Sequence, residues 1–174
     1  MIEPRRHMPT QPANERIRNF DEVALGYTAK LAKDEADRCL NCKNAPCMSG
    51  CPVGVHIPDF IANVKQGNIQ GAYRVLKNDN NLAAICGRVC PQENQCEKHC
   101  VRKDKLGGSV AIGNLERYVA DQAIVNGYDE KPQIVKIGKR VAVVGSGPAS
   151  LSCAADLARC GVDVTMYEAL HEAG

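Results

Sequence analysis

Eight cysteines in two blocks are the residues best equipped for chemistry. The first block reads RCLNCKNAPCMSGCP and holds Cys39, Cys42, Cys47 and Cys51. The second reads ICGRVCPQENQCEKHC and holds Cys86, Cys90, Cys96 and Cys100. Each contains C-x3-C-P, closed by Pro52 in one and Pro91 in the other. Thiolates are soft, anionic ligands, and short spacers let successive sulfurs reach neighbouring metal atoms. The pattern predicts two 4Fe–4S clusters.

Zinc is the competing occupant. Structural zinc sites favour two C-x2-C pairs on tight turns. Here only Cys39 and Cys42 are so spaced, and the remaining gaps are x4, x3, x3, x5 and x3. The first block, C-x2-C-x4-C-x3-C-P, departs from the bacterial ferredoxin run only in its longer middle spacer, and the last cysteine of such a run often serves the other cluster. Cys51 is therefore a candidate to cross over. Cys86 lies in an apolar helical context, LAAIC, and reads as a buried, inert thiol. If it is one, an eighth ligand must come from elsewhere.

Bulk properties narrow the setting. The chain has 174 residues, enough for one domain or two small ones. Aromatics make up 4% and Trp is absent, so a small core needs metal or crosslinks for support. Lys and Arg total 22 against 20 Asp and Glu, a balance that predicts neither nucleic-acid nor membrane binding. With no apolar leader or spanning run, a cytoplasmic location is expected, where metal binding is favoured over disulfides.

The elements that must position the cysteines follow from periodicity. Pro4, Pro9 and Pro12 predict an extended arm, residues 1–18, with a short helix over Asn14 to Phe20. Thr28 can cap a helix from Ala29 to about Arg38 that delivers Cys39. The first cysteine block reads as loop. Two cysteine-free helices, Asp59 to Lys65 after Pro58 and Ile69 to Lys77 capped by Asn68, read as a packing spacer. A short helix over Leu82 to Gly87 enters the second block, and residues 103–108 read as a polar loop. Ser109 can cap a longer helix from Val110 to Asn126, ended by Gly127. Its face is Ile112, Leu115, Val119, Gln122 and Ala123, and Glu116 reads as a solvated position. The domains are expected at 19–127 for the helical cluster domain, 128–138 for a connector with Pro132 and Gly138, and 139–174 for a nucleotide domain.

That last segment reads strand, glycine-rich turn, helix, strand. Gly145, Ser146, Gly147, Pro148, Ala149 and Ser150 follow the apolar strand Arg140 to Val144. The first glycine permits the turn, the second lets a pyrophosphate approach the backbone, and the helix N-terminus offers amides and a favourable dipole. Glu168, at the end of the next strand, suits an adenosine ribose hydroxyl. Cys153 and Cys160 read as packing residues on the intervening helix.

Taken in order, RCLNCKNAPCMSGCPVGVHIPDFI, CGRVCPQENQCEKHC, AIGNLERY and VAVVGSGPA resemble the N-terminal part of the glutamate synthase small (beta) subunit family. The same module occurs in the large subunit of ferredoxin:NADP transhydrogenase and in dihydropyrimidine dehydrogenase. The resemblance runs from about Asn19 to the end. It implies an alpha-helical ferredoxin-type domain followed by the first βαβ unit of a Rossmann-like FAD domain. It also implies one cluster on Cys39, Cys42, Cys47 and Cys100, and another on Cys51, Cys90, Cys96 and Glu116, with Cys86 a bystander. Some relatives carry Gln where Glu116 stands, and Glu argues mildly against the pyrimidine enzyme.

The same resemblance places FAD on the Gly145 loop and NADPH or NADH beyond this segment. The expected role is to pass electrons between FAD and a partner, either a glutamate synthase large subunit or a ferredoxin-like protein, with oligomerisation left open. Transhydrogenase and pyrimidine reductase modules are the alternatives, and a non-redox zinc-binding interaction module is the alternative of another class. The chain is expected to be a fragment, not catalytic alone, and to bind FAD poorly because one βαβ unit cannot enclose it. Arg88, Lys98, Arg102, Lys103 and Lys105 crowd the second block, either as ordinary surface, as cations that favour cluster reduction, or as a docking face for a redox partner.

Overall fold

The computed structural model describes residues 3–104, 107–128 and 133–174. It divides into two compact units, Met1–Tyr128 and Asp129–Gly174. Lys105 in the polar loop and Pro132 in the connector lie outside the described residues.

The first unit is helical. α1 (Ala13–Arg16) is one turn, shorter than the Asn14–Phe20 expected. Two features stop it: the Asn19 amide folds back on the Glu15 carbonyl (3.1 Å) and its oxygen accepts from Asp21 N–H (2.9 Å), and Phe20 buries nothing. The arm before and after α1 is tied together by backbone bonds from Gln11 to Val23 and from Leu25 to Pro9, both 2.8 Å. α2 (Ala29–Ala36) begins at Thr28, whose hydroxyl accepts from Leu31 N–H (3.2 Å).

α3 (Pro46–Ser49) is a helical turn inside the first cysteine block, where only loop was expected. Pro46 starts it at a position where its missing N–H costs nothing. Asn41 and Ala45 have positive φ, at 49° and 36°. For Ala this left-handed conformation is unfavourable, a local strain that the tight wrapping of Cys39–Cys47 imposes.

α4 (Ile57–Lys65) and α5 (Ile69–Asp79) form the cysteine-free spacer. Asn68 caps α5 through Gly71 N–H at 3.0 Å. α6 (Ala83–Val89) runs one residue short of Cys90, and 3₁₀ turns at Gln92–Asn94 and Glu97–His99 carry the second block. α7 (Ile112–Asn126) ends at Gly127 in the left-handed conformation. Phe60, Ile61, Leu76, Leu115 and Val119 are fully buried where α4, α5 and α7 meet, with Ala32, Ala36 and Ala72 letting the helices close in. α6 lies hard on α7: a Cβ on Gly87 would stand 2.6 Å from the Arg117 backbone nitrogen.

Ser109 does not cap α7. Its hydroxyl donates to the Glu97 carbonyl (2.8 Å), and the helix starts three residues later. Two buried carboxylates from the cysteine-bearing segments meet the helix start instead. Glu35 accepts from Ala111 N–H (2.7 Å) and Glu97 from Gly113 N–H (3.3 Å). Arg38 pairs with Glu35 at 2.5 Å, both side chains wholly buried, and donates to the carbonyls of Glu3, Gly107, Gly108 and Ser109. Arg5 pairs with Glu97 at 2.5 Å.

The second unit is a βαβ unit. β1 (Arg140–Val144) and β2 (Asp163–Tyr167) pair in parallel, with Arg140 opposite Asp163 and Val144 opposite Tyr167. α8 (Pro148–Arg159) connects them. Alternate strand residues are exposed, including Val144 and Tyr167. Cys153 on α8 and Cys160 just past its end are exposed and so do not pack as expected.

Candidate metal centres and dinucleotide loop

The cysteines ring two cavities in the helical unit. Cys39, Cys42, Cys47 and Cys100 line the first, together with Ile61, Arg102 and Val110. Cys51, Cys86, Cys90 and Cys96 line the second, together with Glu116, Asn80, Gln92 and Gln95. Ile57 and Ile112 line both and form a common wall. The first holds about 30 Å³ of room for the centre of a water molecule, the second about 210 Å³.

The chain path explains the sorting. α2 ends at Ala36, and Arg38, buried in its carbonyl nest, delivers Cys39 to the first cavity. The left-handed turns at Asn41 and Ala45 bring Cys42 and Cys47 round to it. Cys51 lies past α3 and faces the second cavity instead. In the second block, α6 carries Cys86 and ends at Cys90, and the 3₁₀ turn Glu97–His99 separates Cys96 on one cavity from Cys100 on the other. That turn packs closely on the first block, since a Cβ on Gly50 would meet the His99 ring at 2.6 Å.

None of the ten cysteines is in a disulfide. Burial, reinforced by the nearby Cys39 and Cys100, pushes the Cys47 thiol up to about 11. Burial, with Glu97 and then Cys51 and Glu116 adding to it, pushes Cys96 up to about 12. Burial also raises Cys39, with Cys100 and Cys42 as the charges it feels, and Cys90, with Cys86, Glu116 and Cys51. The mutual influences therefore follow the same two sets. Val110 N–H points at Cys100 Sγ (3.5 Å), a donor placed to stabilise charge on that sulfur.

Glu116 is not solvated. It is 8% exposed, on the inner face of α7, and burial lifts its carboxyl up to about 7 despite a hydrogen bond from Asn80 Nδ2 (2.8 Å). Helical periodicity did not reveal this, because Glu116 and Arg117 are buried beside the apolar stripe. Asn80, Gln92, Gln95, Glu35 and Glu97 were likewise missed as contributors, and only the place of Glu35 four residues before Cys39 hinted at a role. Among the basic residues, Arg102 is buried and lines the first cavity, whereas Arg88 pairs with Glu22 and Asp121 at the surface.

The donor chemistry suits a thiolate-bound iron–sulfur group. Among the described residues, no three of the His, Cys, Asp and Glu side chains are gathered closely enough to hold a single metal ion. They stand around space that a bulkier inorganic core would fill.

In the second unit Gly145 has φ 85°, which the turn out of β1 requires, and Pro148 opens α8 with Gly147 as its cap residue. Ala149 follows in the first turn of α8. Glu168 reaches back to this loop. Its carboxylate accepts from Ser146 N–H (2.8 Å), from the Ser146 hydroxyl and from Leu170 N–H (2.9 Å). These bonds, the hydroxyl foremost, hold the carboxyl down at about 2. The structure thus brings together the two parts of the expected dinucleotide site. No helix among the described residues is long and apolar enough to cross a membrane.

Residues 16–128 match the family model for dihydropyrimidine dehydrogenase domain II, 4Fe-4S cluster, and residues 143–174 match that for an NAD(P)-binding Rossmann-like domain. AegA of Escherichia coli K12, provisionally named an oxidoreductase, is 44% identical over 98% of this chain and 26% of its own length. The glutamate synthase [NADPH] small chain of the same organism is 40% identical over 95% of this chain and 35% of its own length. Its NAD-dependent dihydropyrimidine dehydrogenase subunit PreT is 38% identical over 86% and 36% respectively. The chain thus spans between 26% and 36% of the length of these relatives. With 113 of its 174 residues inside the first match, and cysteines ringing the cavities of that unit, the chain belongs to the dihydropyrimidine dehydrogenase domain II, 4Fe-4S cluster family.

Proposed function

We propose that the helical unit holds two 4Fe–4S clusters, one on Cys39, Cys42, Cys47 and Cys100 and the other on Cys51, Cys90, Cys96 and Glu116. The observation that carries this reading is the division of the thiols between two cavities with Ile57 and Ile112 as their common wall. When bound, such clusters supply one-electron transfer. A wall one side chain thick suits passage of electrons between them. The chain supplies the donors, buries them from water, and sets N–H groups such as that of Val110 against the sulfurs. A carboxylate in place of one thiolate gives the second site a harder ligand and a different potential.

In the intact protein, the loop from Gly145 to Ala149 and Glu168 hold the ADP part of FAD, and NADPH or NADH binds beyond residue 174. The whole then acts as an NAD(P)H-dependent oxidoreductase of the glutamate synthase small-subunit type, exchanging electrons with a partner subunit or domain. The identity with glutamate synthase small chains supports this, at 37–40%. A pyrimidine-reducing type is the second reading, favoured by the 38% identity with PreT. The cysteine spacings, with a single C-x2-C pair, speak against the zinc module.

The test is the intact protein, purified anaerobically and combined with a glutamate synthase large subunit and NADPH or NADH. Glutamate formation from glutamine and 2-oxoglutarate is expected. Uracil reduction in a parallel assay with uracil and a pyrimidine-reducing partner subunit, without glutamate formation in the first, would select the second reading. For the ligand assignment, Glu116→Ala should lose or alter one cluster, and two unchanged EPR signals would refute it.

A further inference from the structure

The second cavity has more donors than a cubane cluster needs from the protein. Four thiols and a carboxylate line it. One buried side chain, Asn80, touches the two that compete for the last place. Its Nδ2 donates to Glu116 Oε1 (2.8 Å), and its Oδ1 accepts from Leu82 N–H (2.9 Å) and from Cys86 Sγ (3.7 Å). Asn80 itself is 7% exposed.

The orientation of this amide is determined by its surroundings. Leu82 N–H can only donate, so it requires the oxygen on its side. The amide nitrogen is thereby turned to Glu116, and it can only donate, so it favours an acceptor there. The thiol of Cys86 stands on the oxygen side of the amide and donates to it, so Asn80 engages the sulfur on one side and the Glu116 carboxylate on the other. A carboxylate held by one oxygen keeps lone pairs on the other.

We propose that Asn80 is the positioning residue that selects the oxygen of Glu116 over the sulfur of Cys86 as the last ligand of the second cluster. This rests on the two-cluster reading above. Without the Asn80 donor, Glu116 loses its anchor and Cys86 ligates in its place. In that exchange an iron–sulfur bond stands where an iron–oxygen bond would have formed, the thiol proton passes to the displaced carboxylate, and the net charge is unchanged.

The experiment uses the full chain, loaded and purified anaerobically. It compares Asn80→Ser and Asn80→Asp, both of which keep an oxygen for Leu82 N–H, with Cys86→Ala and the double variants. Iron content, EPR spectra of the reduced protein and circular dichroism are read. Each Asn80 variant is expected to keep both clusters with one EPR signal changed. Cys86→Ala is expected to match wild type, and combining it with Asn80→Ser to halve the iron. The Ser variant decides the double, since Asp could itself ligate; if the Ser variant does not fold, Asn80→Asp decides by its EPR spectrum alone. An Asn80 variant with wild-type spectra, one that loses the second cluster without help, or an Asn80→Ser, Cys86→Ala double variant that keeps all its iron overturns the inference. Glu116→Ala separates the levels: unchanged spectra there defeat the ligand reading itself, whereas a changed spectrum there with silent Asn80 variants defeats only the selection by Asn80.

Discussion

The two cavities of the helical unit are built from the same sequence device and differ in what surrounds it. The first is narrow, with four thiols, Arg102 and the Val110 N–H around it. The second is roomier and mixes thiols with a carboxylate and three amide side chains, Asn80, Gln92 and Gln95. Cys90 Sγ even lies 3.0 Å from Gln95 Oε1. With the proposed clusters bound, a cation and an N–H donor would favour added electrons at the first site, while a buried carboxylate would disfavour them at the second. Equal cysteine counts therefore do not make equal sites, and the environment differentiates them.

The comparison breaks most sharply at the ligands. Cys47→Ala and Cys96→Ala should each halve the iron and leave the EPR signal of the other cavity. Loss of both signals in either variant would mean that the cavities are one cooperative site.

Next come the buried carboxylates at the start of α7. Arg38→Ala leaves Glu35 unpaired and wholly buried beside the first cavity, and should cost about 3–5 kcal/mol in denaturant unfolding. Its counterpart on the second block, Arg5→Ala, also strands a buried carboxylate, Glu97, but the lost guanidinium is partly exposed and Gly113 N–H stays on the carboxylate, so the cost should be smaller, about 1–3 kcal/mol. Equal costs would show that the two clamps are not distinct.

Gly87→Ala should push α6 off α7 at about 1–3 kcal/mol, and alter only the second-cavity signal because α6 carries Cys86 and leads to Cys90. The smallest effect is expected for Thr28→Ala: about 1 kcal/mol from the lost cap, with neither EPR signal moved.

Much of the scaffold was legible in residue order. Thr28 and Asn68 cap the helices they were expected to cap, Gly127 ends α7, and the strands and glycine turn of the second unit fall where apolar runs and Gly145 put them. What was not legible depended on contacts distant in sequence. Ser109 looked like a cap, but Glu35 and Glu97 take that work from 76 and 16 residues away. Glu116 looked solvated, because its burial is set by Asn80 and the cysteine segments packed over α7. Asn80 itself stands just past the helix expected to end at Lys77, and nothing local marks it as the group touching both Cys86 and Glu116.

The most direct measurement of the central claim is iron and acid-labile sulfide per chain in anaerobically purified protein. Two cubane clusters predict about eight of each. About four of each, or zinc without sulfide, would contradict the assignment of a cluster to each cavity.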